Sequence, residues 1–227
     1  MSLKIYEQLE QRTEEWLEAR RGIVTASTVG KLITPKTVKP AANPESRALL
    51  QQLVAERVSG WVEETPTTND MWRGIESEPI ARDLYSEKYA PVVEVGFMRR
   101  DETDWTLGYS PDGLVGDVGL IEVKSPRPRT HVATILSGDV PVYHMAQLQA
   151  GLLVSGREWI DYISFHGGLP MWTKRVHPDQ KWFDAIIEAV RDFEHHAQLM
   201  VAMWNDTTRH LPQTERLPQY DEVVLKL

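Results

Sequence analysis

One stretch, Trp105 to Thr130, constrains the rest of the chain. Two short apolar runs, Leu107–Ser110 and Leu120–Lys124, flank a connection rich in Gly and Asp. The spacing predicts two paired strands joined by a turn, and therefore a sheet at the centre of the fold. Side chains alternate along a strand, so Glu122 and Lys124 share one face while Val123 enters a core. The Val123 carbonyl stays free beside those polar groups, and Asp112, just past the first strand, reaches the same place. Two carboxylates, a carbonyl and an ammonium then converge. Hard cations such as Mg²⁺ take oxygen ligands of this kind. A lysine beside them can orient an attacking water or stabilise charge on an attacked phosphate. A plainer reading competes. Pro-Asp followed within about twenty residues by Glu-x-Lys or Asp-x-Lys arises by chance in about one chain of this size in ten, and Glu with Lys on one strand face is an ordinary solvated pair. The flanking segments have to decide between the two.

The chain has 227 residues, a formal net charge of -8 and no cysteine. That length predicts a single domain over residues 1–227 with a sizeable core. Without cysteine there is no disulfide framework and no Cys-type zinc site, which fits a reducing cytoplasm. The N-terminus places acids and glutamines where a secretory signal needs an apolar run. No run of about eighteen apolar residues predicts a membrane span. The acidic balance excludes a protein coated in positive charge but allows nucleic acid to meet localised basic segments. Lys31–Lys39 is one such segment. Val123–His131, with Lys124, Arg127, Arg129 and His131, is the other. The first reads equally well as a solvated loop. The second follows the carboxylates directly, which favours phosphate contact.

Taken in order, Thr13–Gly22 predicts a short helix with a Thr cap, acids in its first turn and arginines in its last. Thr25 or Ser27 caps the next helix. A hydroxyl at a helix start is a natural phosphate site, with Arg20 near enough to donate, although a plain cap is the commoner role for Ser27. Residues 34–43 read as a loop. Asn43-Pro44 opens a helix that ends at Gly60. Met71–Tyr85 reads as a longer helix disturbed at Pro79, a kink or a restart. Glu78, just before that proline, is either a surface glutamate or a third carboxylate brought to Asp112 and Glu122. Val92–Met98 reads as a strand and Arg99–Asp104 as a turn. Helices follow over Arg129–Leu136 and Val142–Val154. Gln147, on the second of these, can bond a phosphate, a base or a bound water, or do none of these. Trp159–Phe165 and Met171–Val176 form a hairpin around Gly167-Gly168. A long helix covers Asp179–Trp204, and the tail from Thr207 packs on the domain or a neighbour. This order predicts a mixed α/β domain with a sheet flanked by helices.

Other chemistries lack their residues. There is no G-x-x-x-x-G-K-[ST], no G-x-G-x-x-G and no G-x-S-x-G around Ser110 or Ser125. The adjacent histidines His195 and His196 point apart on a helix and make a poor zinc site. His131 and His144 are weak candidates for touching a phosphate.

The segments together resemble the lambda-exonuclease-like family, the phage alkaline exonucleases and YqaJ-type viral recombinases of the PD-(D/E)xK nuclease superfamily. The resemblance is carried by Arg20-x-Gly22-Ile23-Val24-Thr25-Ala26-Ser27, by Gly74-x-x-x-Glu78-x-x-Ala81-Arg82 and by Ser110-Pro111-Asp112-Gly113-Leu114. Leu120-x-Glu122-Val123-Lys124-Ser125-Pro126 and Tyr143-x-x-x-Gln147-x-Gln149 complete it. It implies a restriction-endonuclease-like α/β core with a mixed central sheet flanked by helices. It also implies that Asp112, Glu122 and the Val123 carbonyl hold Mg²⁺, with Mn²⁺ as a substitute and Glu78 serving a second ion. By the same resemblance Lys124 positions the nucleophilic water, Gln147 lies beside the reacting strand, and Arg20 with Ser27 binds a 5′ phosphate. Thr25, Arg127 and Arg129 are the further DNA-contact candidates. Glu76 competes with Glu78, but spacing from Gly74 and the following Ala-Arg favours Glu78.

The implied activity is 5′→3′ digestion of one strand of linear double-stranded DNA to 5′ mononucleotides, leaving a 3′ single strand for recombination by strand annealing. The implied partners are duplex DNA, two further copies in a homotrimeric ring, and a single-strand annealing protein. The implied setting is the cytoplasm of a bacterial host, for a chain of phage or prophage origin, with no membrane contact. Two alternatives stay open: a site-specific endonuclease on the same fold, and a non-catalytic module that binds DNA ends or an annealing protein.

Overall fold

A computed structural model describes residues 2–62 and 67–216. Strand β1 (Ser2–Tyr6) opens the chain, and α1 (Glu14–Arg20), β2 (Val24–Thr25) and α2 (Ala26–Val29) follow. A 3₁₀ turn, Gly30–Leu32, leads to the short pair β3 (Ile33–Thr34) and β4 (Lys39–Pro40), where a loop was expected. Helices α3 (Pro44–Ser59) and α4 (Asn69–Lys88) precede β5 (Val92–Val93), β6 (Phe97–Asp101), β7 (Thr106–Tyr109), β8 (Gly113–Val115) and β9 (Gly119–Lys124). Helices α5 (Pro128–Ser137) and α6 (Val142–Ser155), the hairpin β10 (Trp159–Ser164) and β11 (Trp172–Val176), and α7 (Gln180–Thr208) complete the described order.

The strands form a five-stranded mixed sheet, β11-β10-β9-β8-β5, and a four-stranded one, β1-β6-β7-β2. Within the first, β9 runs parallel to β10, with Glu122 opposite Tyr162 and Lys124 opposite Ser164. Its other neighbour, β8, is antiparallel. This corrects the strand pairing expected from sequence: β7 does not pair with β9 but with β6 and β2, in the other sheet. The reason is local. Pro111 has no N–H to give a ladder and fixes its own φ, so the strand ends there. The chain restarts at Gly113 and turns back through Gly116, in the left-handed region at φ 51, to pair β8 with β9. Gly113 is required by packing, because a Cβ there would lie 2.1 Å from the Val92 side chain.

The expected strand Val92–Met98 is likewise split between the two sheets as β5 and β6. It breaks at Gly96, whose ideal Cβ would meet the Leu9 carbonyl oxygen at 1.7 Å. The anticipated turn from Arg99 is still strand as far as Asp101, and β1 was not foreseen. Helix α4 runs through Pro79 without a restart, which leaves the Ile75 carbonyl without its usual helical donor. Helix α7 continues past Trp204 to Thr208. The expected tail therefore begins later, and residues 217–227 lie outside the described residues.

Burial explains the layering. Strand β9 is buried along nearly its whole length. Leu120 joins a core shared with Leu107, Tyr109, Leu148, Leu152, Val190 and Phe193. Ile121 and Val123 face the other way, against Ala81 and Tyr85 of α4. Each such side chain, fully buried, contributes about 1.5–3 kcal/mol. With period two, Glu122 and Lys124 then emerge on the Leu120 side, toward α6. Helix α7 lays Trp182, Ala185, Ile186, Ala189, Val190, Phe193 and Ala197 on that same core, the i, i+3, i+4 stripe of an amphipathic helix. Among the described residues no helix is long and apolar enough to cross a membrane.

Candidate active site

The link between β7 and β8 places Asp112 beside β9, where its Oδ2 accepts from the Val123 amide at 2.6 Å. Glu122 is only 2% exposed. Its Oε1 accepts from Lys124 Nζ at 2.7 Å and from Gln147 Nε2 of α6, and its Oε2 accepts from the Tyr109 hydroxyl at 3.4 Å. A buried carboxylate without such partners would be costly. Glu78, on α4, touches two guanidinium groups, Arg12 at 3.3 Å and Arg82 at 3.4 Å. Arg82 also donates to the Asp112 main-chain oxygen at 2.9 Å.

The carboxylates act on one another. Burial, followed by the charges of Glu122 and Glu78, pushes the Asp112 carboxyl well above its usual range, against Lys124 and the Val123 amide. Burial, with Glu122 and Glu94, also raises Glu78, against Arg82 and Arg12. Burial works to discharge Lys124, but the carboxylates of Glu122, Asp112 and Glu78 outweigh it and hold the ammonium above its ordinary value. Lys124 is thus a fixed cation at neutral pH. In that form it has three N–H donors to offer an anion or a water.

Arg20 reaches the same cavity from the end of α1. Its guanidinium stacks 3.8 Å from the Trp16 ring centroid and donates to Ser110 Oγ at 3.0 Å. Trp16 Nε1 donates to the same oxygen at 2.9 Å. Both lone pairs of that hydroxyl are then used, leaving its proton as its remaining hydrogen-bonding capacity. Burial lowers the Arg20 pKa to about 10, opposed by Glu56, so the group is still cationic at pH 7 and only partly solvated. Thr25 is the backbone cap of α2, and its hydroxyl lies 3.1 Å from that of the exposed Ser27.

One cavity of about 780 Å³ brings together Glu78, Asp112, Glu122, Val123, Lys124 and Gln147, along with Arg20, Thr25 and Ser27. Trp16, Leu17, Val62, Met71 and Ile75 supply an apolar part of its wall. That size and mixed lining suit a nucleotide-sized ligand. Glu76 is exposed and does not line the cavity. Arg127 and Arg129 are exposed outside it, and Arg127 is paired with Asp70 at 3.0 Å. The ring nitrogens of buried His131 lie 2.7 Å from Ser164 Oγ and 3.0 Å from the Pro170 carbonyl oxygen. His144 is wedged between Tyr143 and Tyr162, where burial, aided by Lys124, lowers its pKa to about 3.

The donor set, carboxylate and carbonyl oxygens with no sulfur or imidazole, fits a hard cation such as Mg²⁺. Among the described residues no three carboxylate or imidazole side chains are grouped closely enough to share one ion as they stand. Lys124 and Gln147 hold one oxygen of Glu122, and two arginines hold Glu78, so these contacts must yield for the carboxylates to close on a cation. Sequence reasoning gave no role to Tyr109, Ser110, Trp16, Arg82 or Arg12. The i, i+4 pairs Trp16–Arg20 and Glu78–Arg82 were visible as helical spacing. Nothing local points from Arg12 to Glu78, or from Tyr109 to Glu122.

A family model, the YqaJ-like viral recombinase domain, matches residues 15–158, which is more than half of the chain. Among solved structures, the chain is similar to an alkaline exonuclease, LHK-Exo, from Laribacter hongkongensis. The two share 32% identity with a TM-score of 0.78 over 88% of this chain and 100% of that one. The same enzyme in complex with dAMP matches equally well. A phage-related exonuclease from Haemophilus somnus has the same fold at 12% identity and a TM-score of 0.60, over 80% of this chain and 96% of that one. No curated protein matches. The matched region contains the cavity's carboxylates, Lys124 and Arg20, and Arg12 precedes it. The chain belongs to the YqaJ-like viral recombinase family, on the restriction-endonuclease-like fold of phage-type exonucleases.

Proposed function

We propose that this protein is a Mg²⁺-dependent 5′→3′ exonuclease on linear double-stranded DNA. It releases 5′ mononucleotides and leaves a 3′ single strand for phage-type recombination by strand annealing. The observation that carries the reading is the convergence of Asp112, Glu122, Lys124, Glu78 and Gln147 with Arg20 and Ser27 in one nucleotide-sized cavity. The dAMP complex of the related alkaline exonuclease agrees with a mononucleotide product. Asp112, Glu122, the Val123 carbonyl and Glu78 would hold Mg²⁺, two ions per site, with Mn²⁺ able to substitute. When bound, the ions supply Lewis acidity that activates water and offsets charge on the attacked phosphate.

The protein's own groups do the rest. Lys124, kept charged by its carboxylate neighbours, orients the attacking water and stabilises the developing phosphorane charge. Gln147, which donates to Glu122 until a cation takes that carboxylate, then offers its amide to the reacting strand. Arg20, immobilised on Trp16, takes the terminal 5′ phosphate together with the Ser27 and Ser110 hydroxyls, and so sets the end from which digestion starts. A homotrimeric ring, with its acidic surface outside, would keep DNA to the channel, and a single-strand annealing protein would receive the exposed strand.

Incubating end-labelled linear duplex beside closed circular duplex tests activity and polarity together. The expected result is 5′-label release from the linear form only, lost in folded Asp112→Ala and Lys124→Ala. Cutting of the circle would make the protein an endonuclease. Wild-type digestion by Asp112→Ala would remove the site assignment. DNA-end binding with no nucleotide released in Mg²⁺ or Mn²⁺ would leave a binding module.

A further inference from the structure

Two guanidinium groups meet on Glu78, and they are not equivalent. Arg82 sits one helical turn after Glu78, with its side chain 13% exposed. It is held by three acceptors: Glu78, the Asp112 main-chain oxygen at 2.9 Å and Glu94 at 3.1 Å. Arg12 approaches from an irregular segment outside the helix, and its side chain is 50% exposed. Among the described contacts its one acceptor is Glu78. Its backbone is left-handed, at φ 73, a conformation that a non-glycine residue holds only when its surroundings impose it. The same segment is tied down by Gln11, which donates to the Pro111 carbonyl at 3.2 Å, next to Asp112.

We propose that Arg82 is a positioning residue that fixes Glu78 and Asp112 relative to each other, and that Arg12 is an exchangeable counter-ion that occupies Glu78 until a divalent cation takes it over. The inference rests on the cation-binding role given to Glu78 above. A partly buried carboxylate facing two others needs a positive partner. An incoming cation supplies that charge and makes one guanidinium redundant. The less constrained one leaves. Arg82 would abandon two hydrogen bonds, one of them to the main chain that carries Asp112, and an ion pair with Glu94. Arg12 gives up one half-exposed contact, and such contacts contribute little. Two arginines at nearly equal distances from one carboxylate, 3.3 and 3.4 Å, therefore have opposite effects on cation binding.

The test is calorimetric titration of MnCl₂ into the metal-stripped full chain without DNA, with circular dichroism to confirm folding. Arg12→Gln should bind Mn²⁺ about two- to fivefold more tightly, since a half-exposed ion pair no longer competes. Arg12→Lys should stay near the unaltered protein. Arg82→Lys keeps the charge but not the planar fork, and should bind about tenfold more weakly, the usual effect of losing a group that orients a ligand. Unchanged or weaker binding by Arg12→Gln overturns the proposal. So does unchanged binding by folded Arg82→Lys, which would make charge and not geometry the role of Arg82. If Arg82→Lys does not fold, the Arg12 pair decides alone. Absence of Mn²⁺ binding by the unaltered protein overturns the cation role of Glu78 and this inference together, whereas normal binding with indifferent Arg12 variants overturns the inference alone.

Discussion

Arg57 ties the segment bearing Arg20 to the body of the protein, and its removal should show how that segment is held. Its guanidinium forks onto Glu194 of α7 at 2.9 and 2.7 Å, and its Nε donates to the Gly22 carbonyl at 2.6 Å. The neighbouring Glu56 accepts from the Gly22 amide at 2.8 Å. The two side chains of the ion pair are 22% and 10% exposed. Arg57→Met strands the Glu194 carboxylate in a site that is largely dry. Breaking a fully buried pair costs about 3–5 kcal/mol, and the residual exposure of Arg57 reduces this to about 2–4 kcal/mol. At about 2–4 °C per kcal/mol for a chain of this size, the melting temperature should fall by about 5–15 °C in a calorimetric scan. If the stranded charge is the cause, Arg57→Met/Glu194→Leu should recover most of the loss, because an apolar pair of similar volume replaces a buried ion pair at little cost. A double variant as unstable as the single one would refute this and place the cost in the lost Gly22 hydrogen bond or in packing on Phe193, whose ring centroid lies 5.5 Å from the Arg57 guanidinium.

Three further outcomes are expected. Asp112→Asn should abolish digestion while raising the melting temperature in metal-free buffer. The raised Asp112 carboxyl means that the folded protein binds the extra proton, so the unaltered protein should lose stability relative to the variant as pH rises above about 4, and equal pH slopes would contradict this. The lowered pKa of His144, about 3, has the opposite sign: the unfolded chain takes up its proton first, so stability falls as pH drops below about 6.5, and His144→Phe should flatten that acid limb of a melting-temperature profile. Arg20→Ala should narrow the rate ratio between 5′-phosphorylated and 5′-hydroxyl ends; an unchanged ratio removes Arg20 from the end-binding role.

Elements whose signals are local were legible in the chain. The caps at Thr13 and Asn43, the Gly60 and Gly156 stops, the apolar stripe of α7 and the Gly167-Gly168 hairpin are each specified within a few residues. The shared face of Glu122 and Lys124 was also legible, because strand periodicity alone sets it, whereas Asp112 joins them from the link between β7 and β8. The partner of β9 was misread, since a proline and a glycine divided between two strands look the same in sequence as a single long turn. Strand β1 escaped notice because all five of its residues are exposed and show no buried-face alternation.

The sequence by itself determined the helices, the chemistry of the carboxylate–lysine stretch and, through five spaced segments, the family. Only the tertiary structure decided that β7 and β9 lie in different sheets, that Tyr109 and Gln147 grip Glu122, and that Arg12 and Arg82 divide Glu78 between them. The physical reason is range. Capping and periodicity act within one or two turns of chain, whereas the charge balance of the site is set by groups far apart in sequence, such as Arg12 and Glu78, which meet only because burying the two faces of β9 draws α4, α6 and the N-terminal segment around it.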